Sequence, residues 1–133
     1  DNMEWAVYLA APRKPAAQTD VEVFLLGWAP SSAEARWCLY PLYHSAEWVP
    51  KGNNRLFYSN QQFDDYVEKL TKATDKADRD NNLKLAQELL YKEVPQIPIL
   101  VTKETIGYSK KLKGVINSPL ELTFFDQNTT LEK

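Results

Sequence analysis

Between Ser59 and Val94 two helical patterns follow one another with only a few residues between them, and every fold open to this chain has to accommodate that pair. Phe63, Tyr66, Val67 and Leu70 stand at i, i+3, i+4 and i+7 and form one apolar stripe. Ser59, with Gln62 three residues later, has the form of a capping box, in which each side chain satisfies the other's orphan backbone amide. Asp64, Asp65, Glu68 and Lys69 fall on the opposite face, which predicts a plainly solvated cluster. A second helix is expected to begin near Asp75, whose carboxylate can cap it, with Asp78 in the first turn against the positive end of the dipole. Leu83, Ala86, Leu89, Leu90 and Val94 form its buried face, and Pro95 stops it. So short a link predicts an antiparallel helical hairpin.

The flanking segments read less regularly. Met3 to Ala11 carries Trp5, Tyr8 and Leu9 at helical spacing, with Asp1 and Asn2 as N-caps and Pro12 as the end. Pro12 to Asp20 predicts an exposed loop. Val21 to Trp28 is too densely apolar for a one-sided strand and predicts one buried on both faces, ending at Gly27. Ala29 to Ser32 is a turn in which Ser31 or Ser32 caps a helix starting at Ala33, and that helix turns Trp37, Cys38 and Tyr40 inward. Pro41 should break or restart it, because an interior proline costs about 3 kcal/mol. His44 to Asn54 reads as irregular around an exposed Trp48, and Arg55 to Tyr58 as a brief extended piece. Beyond the hairpin, Ile97 to Val101 predicts a short buried strand and Thr105 to Tyr108 a pairing partner. Lys110 to Gly114 reads as a basic turn, Leu120 to Phe125 as a last apolar stretch, and the end from Gln127 as frayed. There is no internal repeat and no low-complexity tract. The fold class is mixed α/β, with short strands, packed helices and the hairpin.

Composition narrows the function. The 133 residues carry 16 Lys and Arg against 18 Asp and Glu, a net charge of -2, so no basic excess exists to neutralise a nucleic-acid backbone. One cysteine, Cys38, cannot form an internal disulfide, and one histidine, His44, cannot anchor a His-rich metal site. Neither a metal nor another cofactor is expected. The longest nearly apolar run, Val23 to Pro30, falls far short of the ~20 residues a membrane-spanning helix needs. The chain opens at Asp1 without an initiator methionine, which predicts either a removed leader or a piece of something longer.

Catalytic signatures are absent from the residues. No serine lies in a G-x-S-x-G elbow, and four glycines build no phosphate loop. Cys38 reads as a small core hydrophobe and His44 as a structural or exposed group. The aromatic residues Trp28, Trp37, Tyr40, Tyr43 and Trp48 crowd 21 positions, which suits core packing and an aromatic-lined ligand pocket equally well.

Several residues taken in order resemble a known pattern. Met3-Glu4-Trp5 through Leu9 is followed by Asp20 to Gly27-Trp28 and then by Tyr40-Pro41-Leu42-Tyr43-His44-Ser45. Gly52-Asn53 follows, with Tyr58, Asn60, Asp64, Asp78-Arg79 and Pro95-Gln96-Ile97-Pro98. The series is similar to the C-terminal part of the family 5 extracellular solute-binding proteins, the dipeptide, oligopeptide and glutathione-type receptors of ABC importers. The resemblance implies a fragment of a type II periplasmic-binding-protein fold, in which residues 1–133 hold the C-terminal part of one lobe and the crossing back toward the other. It also implies non-catalytic capture of a peptide-like solute in an inter-lobe cleft, a membrane permease as partner, and a periplasmic or lipid-anchored extracellular location. In relatives the loop after the Gly-Trp pair lines the cleft, which places Trp28, Ala29, Pro30, Ser31 and Ser32 at the ligand, with Trp37 and Asn53 as further candidates.

One departure stands out. Where several peptide-binding relatives carry an aspartate that pairs with the ligand amine, this chain has Ser31, a hydroxyl without charge. Glu34 takes over that pairing, or Arg36 reads a ligand carboxylate bidentately, or both stand on the solvent side of a helix. From other function classes come a stand-alone interaction domain with exposed aromatics and a hydrolase using paired acids such as Glu4 and Glu22.

Overall fold

The computed structural model describes residues 3–30, 32–103, 105–117 and 123–132, and it divides into two compact units. The first comprises residues 1–28 and 34–97, and the second comprises residues 29–33 and 98–133.

The helical pair dominates the first unit. Helix α3 (Gln61–Lys72) packs against helix α4 (Lys76–Glu93) and against α2 (Arg36–Tyr43). Phe63, Val67 and Leu70 of α3 are buried with Ala86 of α4 and Leu39 of α2. Leu83, Leu89 and Leu90 cover them from α4, as their spacing predicts. Tyr43 and Tyr58 meet the Phe63 ring edge-on at 6.1 and 5.6 Å, so the centre of the core is an aromatic trio. Asp75 caps α4 through Asp78 N–H, as expected. The cap of α3 differs from expectation: Asn60, not Ser59, accepts from Gln62 N–H and Phe63 N–H. Gln62 instead donates to the Tyr66 hydroxyl, one turn on. Val94 is exposed rather than buried, because it ends α4 in the left-handed region at φ 48°.

Two further expectations for this unit fail for identifiable reasons. Asp64 is buried rather than solvated: one oxygen accepts from Ser45 N–H at 3.1 Å and the other from Ser45 Oγ–H at 2.5 Å. A polar position on a helical wheel tells which side chain avoids the stripe, but not whether a neighbouring loop folds over it. Helix α2 also runs through Pro41 without breaking. The N–H that proline lacks is the one that would have reached Trp37 O, and the Trp28 indole N–H donates there instead at 3.0 Å. Leu39 is the residue α2 buries, while Trp37 remains exposed and Cys38 half-buried.

Between α2 and α3 the chain is closed by one buried amide. Asn54 is 0% exposed; its Nδ2 donates to His44 O at 3.1 Å and Tyr58 O at 2.9 Å, and its Oδ1 accepts from Tyr58 N–H at 3.3 Å. The segment contains a 3-10 turn at Ser45–Glu47 and a cis Val49–Pro50 peptide. Arg55 to Tyr58 is not a strand; Phe57 adopts φ 51° and packs edge-on to Trp48.

At the start of the chain, α1 (Trp5–Ala10) is capped by Glu4 and runs into a 3-10 turn, Ala11–Arg13, that carries Pro12 in its first positions. The expected caps Asp1 and Asn2 lie outside the described residues. Residues 21–28 are not a strand buried on both faces: Val23 is 90% exposed and Leu25 68%. Besides the Trp28 indole bond to Trp37 O, the Tyr8 hydroxyl holds them sideways: it donates to Leu25 O and accepts from Leu25 N–H. An apolar run becomes a buried strand only when another strand satisfies its backbone, and the described residues supply none.

The second unit holds the short strands. β1 (Leu112–Lys113) pairs antiparallel with β4 (Thr130–Leu131), and β2 (Ile116–Asn117) with β3 (Thr123–Phe124). The end from Gln127 is thus paired rather than frayed, and its turn is held by Asp126, which accepts from Asn128 N–H. Gly114, at φ 72°, lies so close to Asn128 that an added Cβ would sit 2.4 Å from its carbonyl oxygen. The expected strand Ile97 to Val101 is absent and its side chains are exposed, Val101 at 98%, and Thr105 to Tyr108 pairs with nothing described. Of Leu120 to Phe125, residues 120–122 lie outside the described residues, and Thr123–Phe124 is β3. Mixed helix and small sheet are compatible with the α/β class.

Two stability measurements follow from these contacts. Asn54→Ala removes three buried hydrogen bonds and should lower the unfolding free energy by about 2–3 kcal/mol in urea titration. Val94→Gly should raise it by about 1 kcal/mol, because a β-branched residue is strained at positive φ.

Candidate functional site

A cleft of about 620 Å³ opens in the first unit between α2, α3 and the 44–54 segment. Helix α2 presents Arg36, Trp37, Tyr40 and Pro41, α3 presents Glu68, Thr71 and Lys72, and the connecting segment presents Glu47 and Asn53. Its size lies within the roughly 300–1,000 Å³ typical of small-molecule sites.

The walls divide by chemistry. Trp37, Tyr40 and Pro41 form an apolar side, on which the Arg36 guanidinium lies 4.6 Å from the Trp37 ring centroid. Opposite them, Lys72 Nζ and Glu68 Oε2 pair at 2.8 Å, one helical turn apart. Each holds the other charged: the Lys72 hydrogen bond lowers the Glu68 carboxyl below its usual range, and Glu68 raises the Lys72 ammonium. Thr71 Oγ–H is turned back onto Val67 O at 2.8 Å. Behind Tyr40 lies the imidazole of His44, stacked on it at 4.3 Å and buried. Its Nδ1 accepts from Ala46 N–H at 3.1 Å, so the neutral ring carries its proton on Nε2. That Nε2 has no hydrogen-bond partner among the described residues and stands 3.9 Å from Glu68 Oε1.

Asn53 and Glu47 are held by backbone geometry. Arg13, from the turn after α1, donates to Asn53 Oδ1 at 3.0 Å and to the carbonyls of Pro50 and Gly52, each at 3.2 Å. Glu47 O accepts from Asn54 N–H at 2.7 Å, and Gly52 N–H donates to Trp48 O at 3.1 Å. Gly52 is required by this closure: a Cβ there would lie 2.3 Å from Glu47 O.

The structure therefore brings together Arg36, Trp37 and Asn53 of the residues the sequence singled out. Trp28 belongs to the same unit, but its indole N–H is engaged by Trp37 O. Glu34 is exposed just ahead of α2, and its carbonyl accepts from Trp37 N–H. Ala29, Pro30 and Ser32 belong to the second unit, and Ser31 lies outside the described residues. Sequence reasoning missed Glu47, Thr71 and Lys72, and it read Glu68 only as a solvated acid. The detectable signal was Glu68, Thr71 and Lys72 at i, i+3 and i+4, a polar ridge beside the buried stripe. Cys38 stays half-buried and burial raises its thiol pKa, which makes it a poor nucleophile. Among the described residues no group of His, Cys, Asp and Glu could hold a metal ion, and no helix is long and apolar enough to cross a membrane.

No family model matches the chain. Its sequence does match a fragment of a family 5 solute-binding protein. The relatives are the glutathione-binding protein GsiB of Escherichia coli (strain K12), of Shigella flexneri and of Shigella dysenteriae serotype 1 (strain Sd197), each 39% identical over 97 residues. The match covers 73% of this chain and 19% of each relative's length. These relatives are named for binding, which accords with the absence of catalytic motifs in the sequence.

A Cβ at position 52 would collide with the Glu47 carbonyl and carboxylate, which must move to admit it. Gly52→Ala should therefore cost about 1–3 kcal/mol of stability, read from the shift in thermal or urea midpoint.

Proposed function

We propose that this chain is the C-terminal portion of a two-lobe family 5 receptor, part of one lobe with the segment crossing back toward the other. The receptor captures a peptide-like solute of the glutathione type in its inter-lobe cleft and presents it to the permease of an ABC importer. It works on the outer side of the membrane, in the periplasm or as a lipid-anchored protein. Capture needs no cofactor and no turnover, since lobe closure around the solute does the work.

The observation that carries this reading is the 39% identity to glutathione-binding proteins over 97 residues. A second one accords with it: Val23, Leu25, Ile97, Ile99, Leu100 and Val101 are exposed apolar side chains in segments without helix or strand, as they would be if their partners lay elsewhere in a longer chain. In the receptor Trp28, Ala29, Pro30, Ser31 and Ser32 contact solute, with Glu34 beside them. Because position 31 offers no charge, the solute's ammonium has to be answered by another acid.

The test is calorimetric titration of the full-length protein, expressed from its native reading frame, with reduced glutathione and with short peptides. A dissociation constant on the order of micromolar or tighter for at least one of them is expected. No heat with any of them, together with unchanged peptide uptake in a deletion strain, would sink the reading. Concentration-dependent self-association of the native-length protein through residues 97–101 would favour the interaction-domain alternative instead.

A further inference from the structure

The cleft between α2 and α3 contains two opposite charges that do not answer each other. Arg36 lies with its guanidinium over the Trp37 indole, an arrangement that uses the face of the group and leaves its in-plane N–H donors for another acceptor. Glu47 lines the same cleft, and neither residue forms an ion pair with another described side chain. The cleft's other two charges, Glu68 and Lys72, are closed on one another.

Both unanswered charges are set in place beforehand. Glu47 N–H donates to His44 O at 3.0 Å and its carbonyl accepts from Asn54, so the backbone beneath the carboxylate is fixed at both ends. Arg36 starts α2, the helix that supplies Leu39 to the core. The same cleft is lined by Trp37 and Tyr40 and by the Asn53 carboxamide, whose Oδ1 is occupied by Arg13 and whose NH₂ remains as a donor. A cation and an anion that line one aromatic-walled cleft without pairing match a solute bearing one of each.

We propose that this cleft reads the two charged ends of a zwitterionic, peptide-like solute, with Arg36 taking the carboxylate and Glu47 the ammonium. The inference rests on the solute-capture reading and adds to it a second pair of specificity-determining residues outside the loop at 28–32. Glu47 is the counter-ion that such a solute needs, since a desolvated ammonium without an anion is costly.

Discrimination by the full-length receptor tests it. Calorimetric affinities are measured for trialanine, N-acetyl-trialanine and trialanine amide on wild type, Arg36→Gln and Glu47→Gln. Wild type should favour the free peptide over each blocked form by about tenfold or more. Arg36→Gln should erase the preference over the amide and keep the preference over the acetylated form, and Glu47→Gln should do the reverse. Arg36→Lys, which keeps the charge but loses the planar fork, should give an intermediate ratio. Each ratio is internal to one preparation, so a partly unfolded variant does not mimic the result. Wild-type discrimination that survives unchanged in both Gln variants, or wild-type binding that ignores the blocking groups, overturns this inference and leaves solute capture standing. Wild type that binds neither trialanine nor glutathione overturns both.

Discussion

The Asn54 carboxamide is the interaction on which the first unit depends. Buried amide groups are tolerated only when their hydrogen bonds are made, and Asn54 makes its bonds to both ends of the segment that contains it, His44 at one side and Tyr58 at the other. That closure delivers Tyr58 to Phe63, places Glu47 and Asn53 on the rim of the cleft, and leaves Gly52 with no room for a side chain. Asp64 performs the complementary task from α3, where its carboxylate receives the Ser45 amide and hydroxyl and seals the start of the same segment against the helix.

Helix α2 illustrates how a local penalty is absorbed by a distant residue. Pro41 leaves the Trp37 carbonyl without its helical donor, and the Trp28 indole provides one. The bond couples the end of the extended 21–28 segment to the helix that bears Arg36, so an aromatic residue identified as a ligand candidate also has a backbone to satisfy. Tyr8 acts similarly at Leu25, where one hydroxyl serves both backbone groups of a residue that has no strand neighbour. Side chains here stand in for a sheet edge.

How far the site could be read in advance depended on the kind of signal. Arg36, Trp37 and Asn53 stand in the cleft, and each was named from the sequence through a resemblance to solute-binding proteins. Glu47 was not, because an acid in an irregular segment has no periodicity to mark it, and its place is decided by backbone bonds to residues up to seven positions away. Asp64 was assigned to water for a related reason: helical spacing separates the stripe from its flanks but is blind to a loop that folds over one flank. Val21 to Trp28 and Ile97 to Val101 were read as buried strands from composition alone. Apolar, β-branched content describes what a segment needs, while burial requires a partner that the sequence of the segment does not contain.

The sequence by itself determined the α3–α4 pair, its stripe and its Asp75 cap, because these depend on contacts three and four residues apart that any helical chain must make. It also determined that these 133 residues form no disulfide among themselves and carry no basic excess, which are matters of count. The tertiary structure alone decided which polar residues are buried, which carbonyl an indole rescues, and which charges share a cleft without pairing. Those outcomes rest on hydrogen bonds between residues 9 to 40 positions apart, and their geometry exists only once the elements have packed.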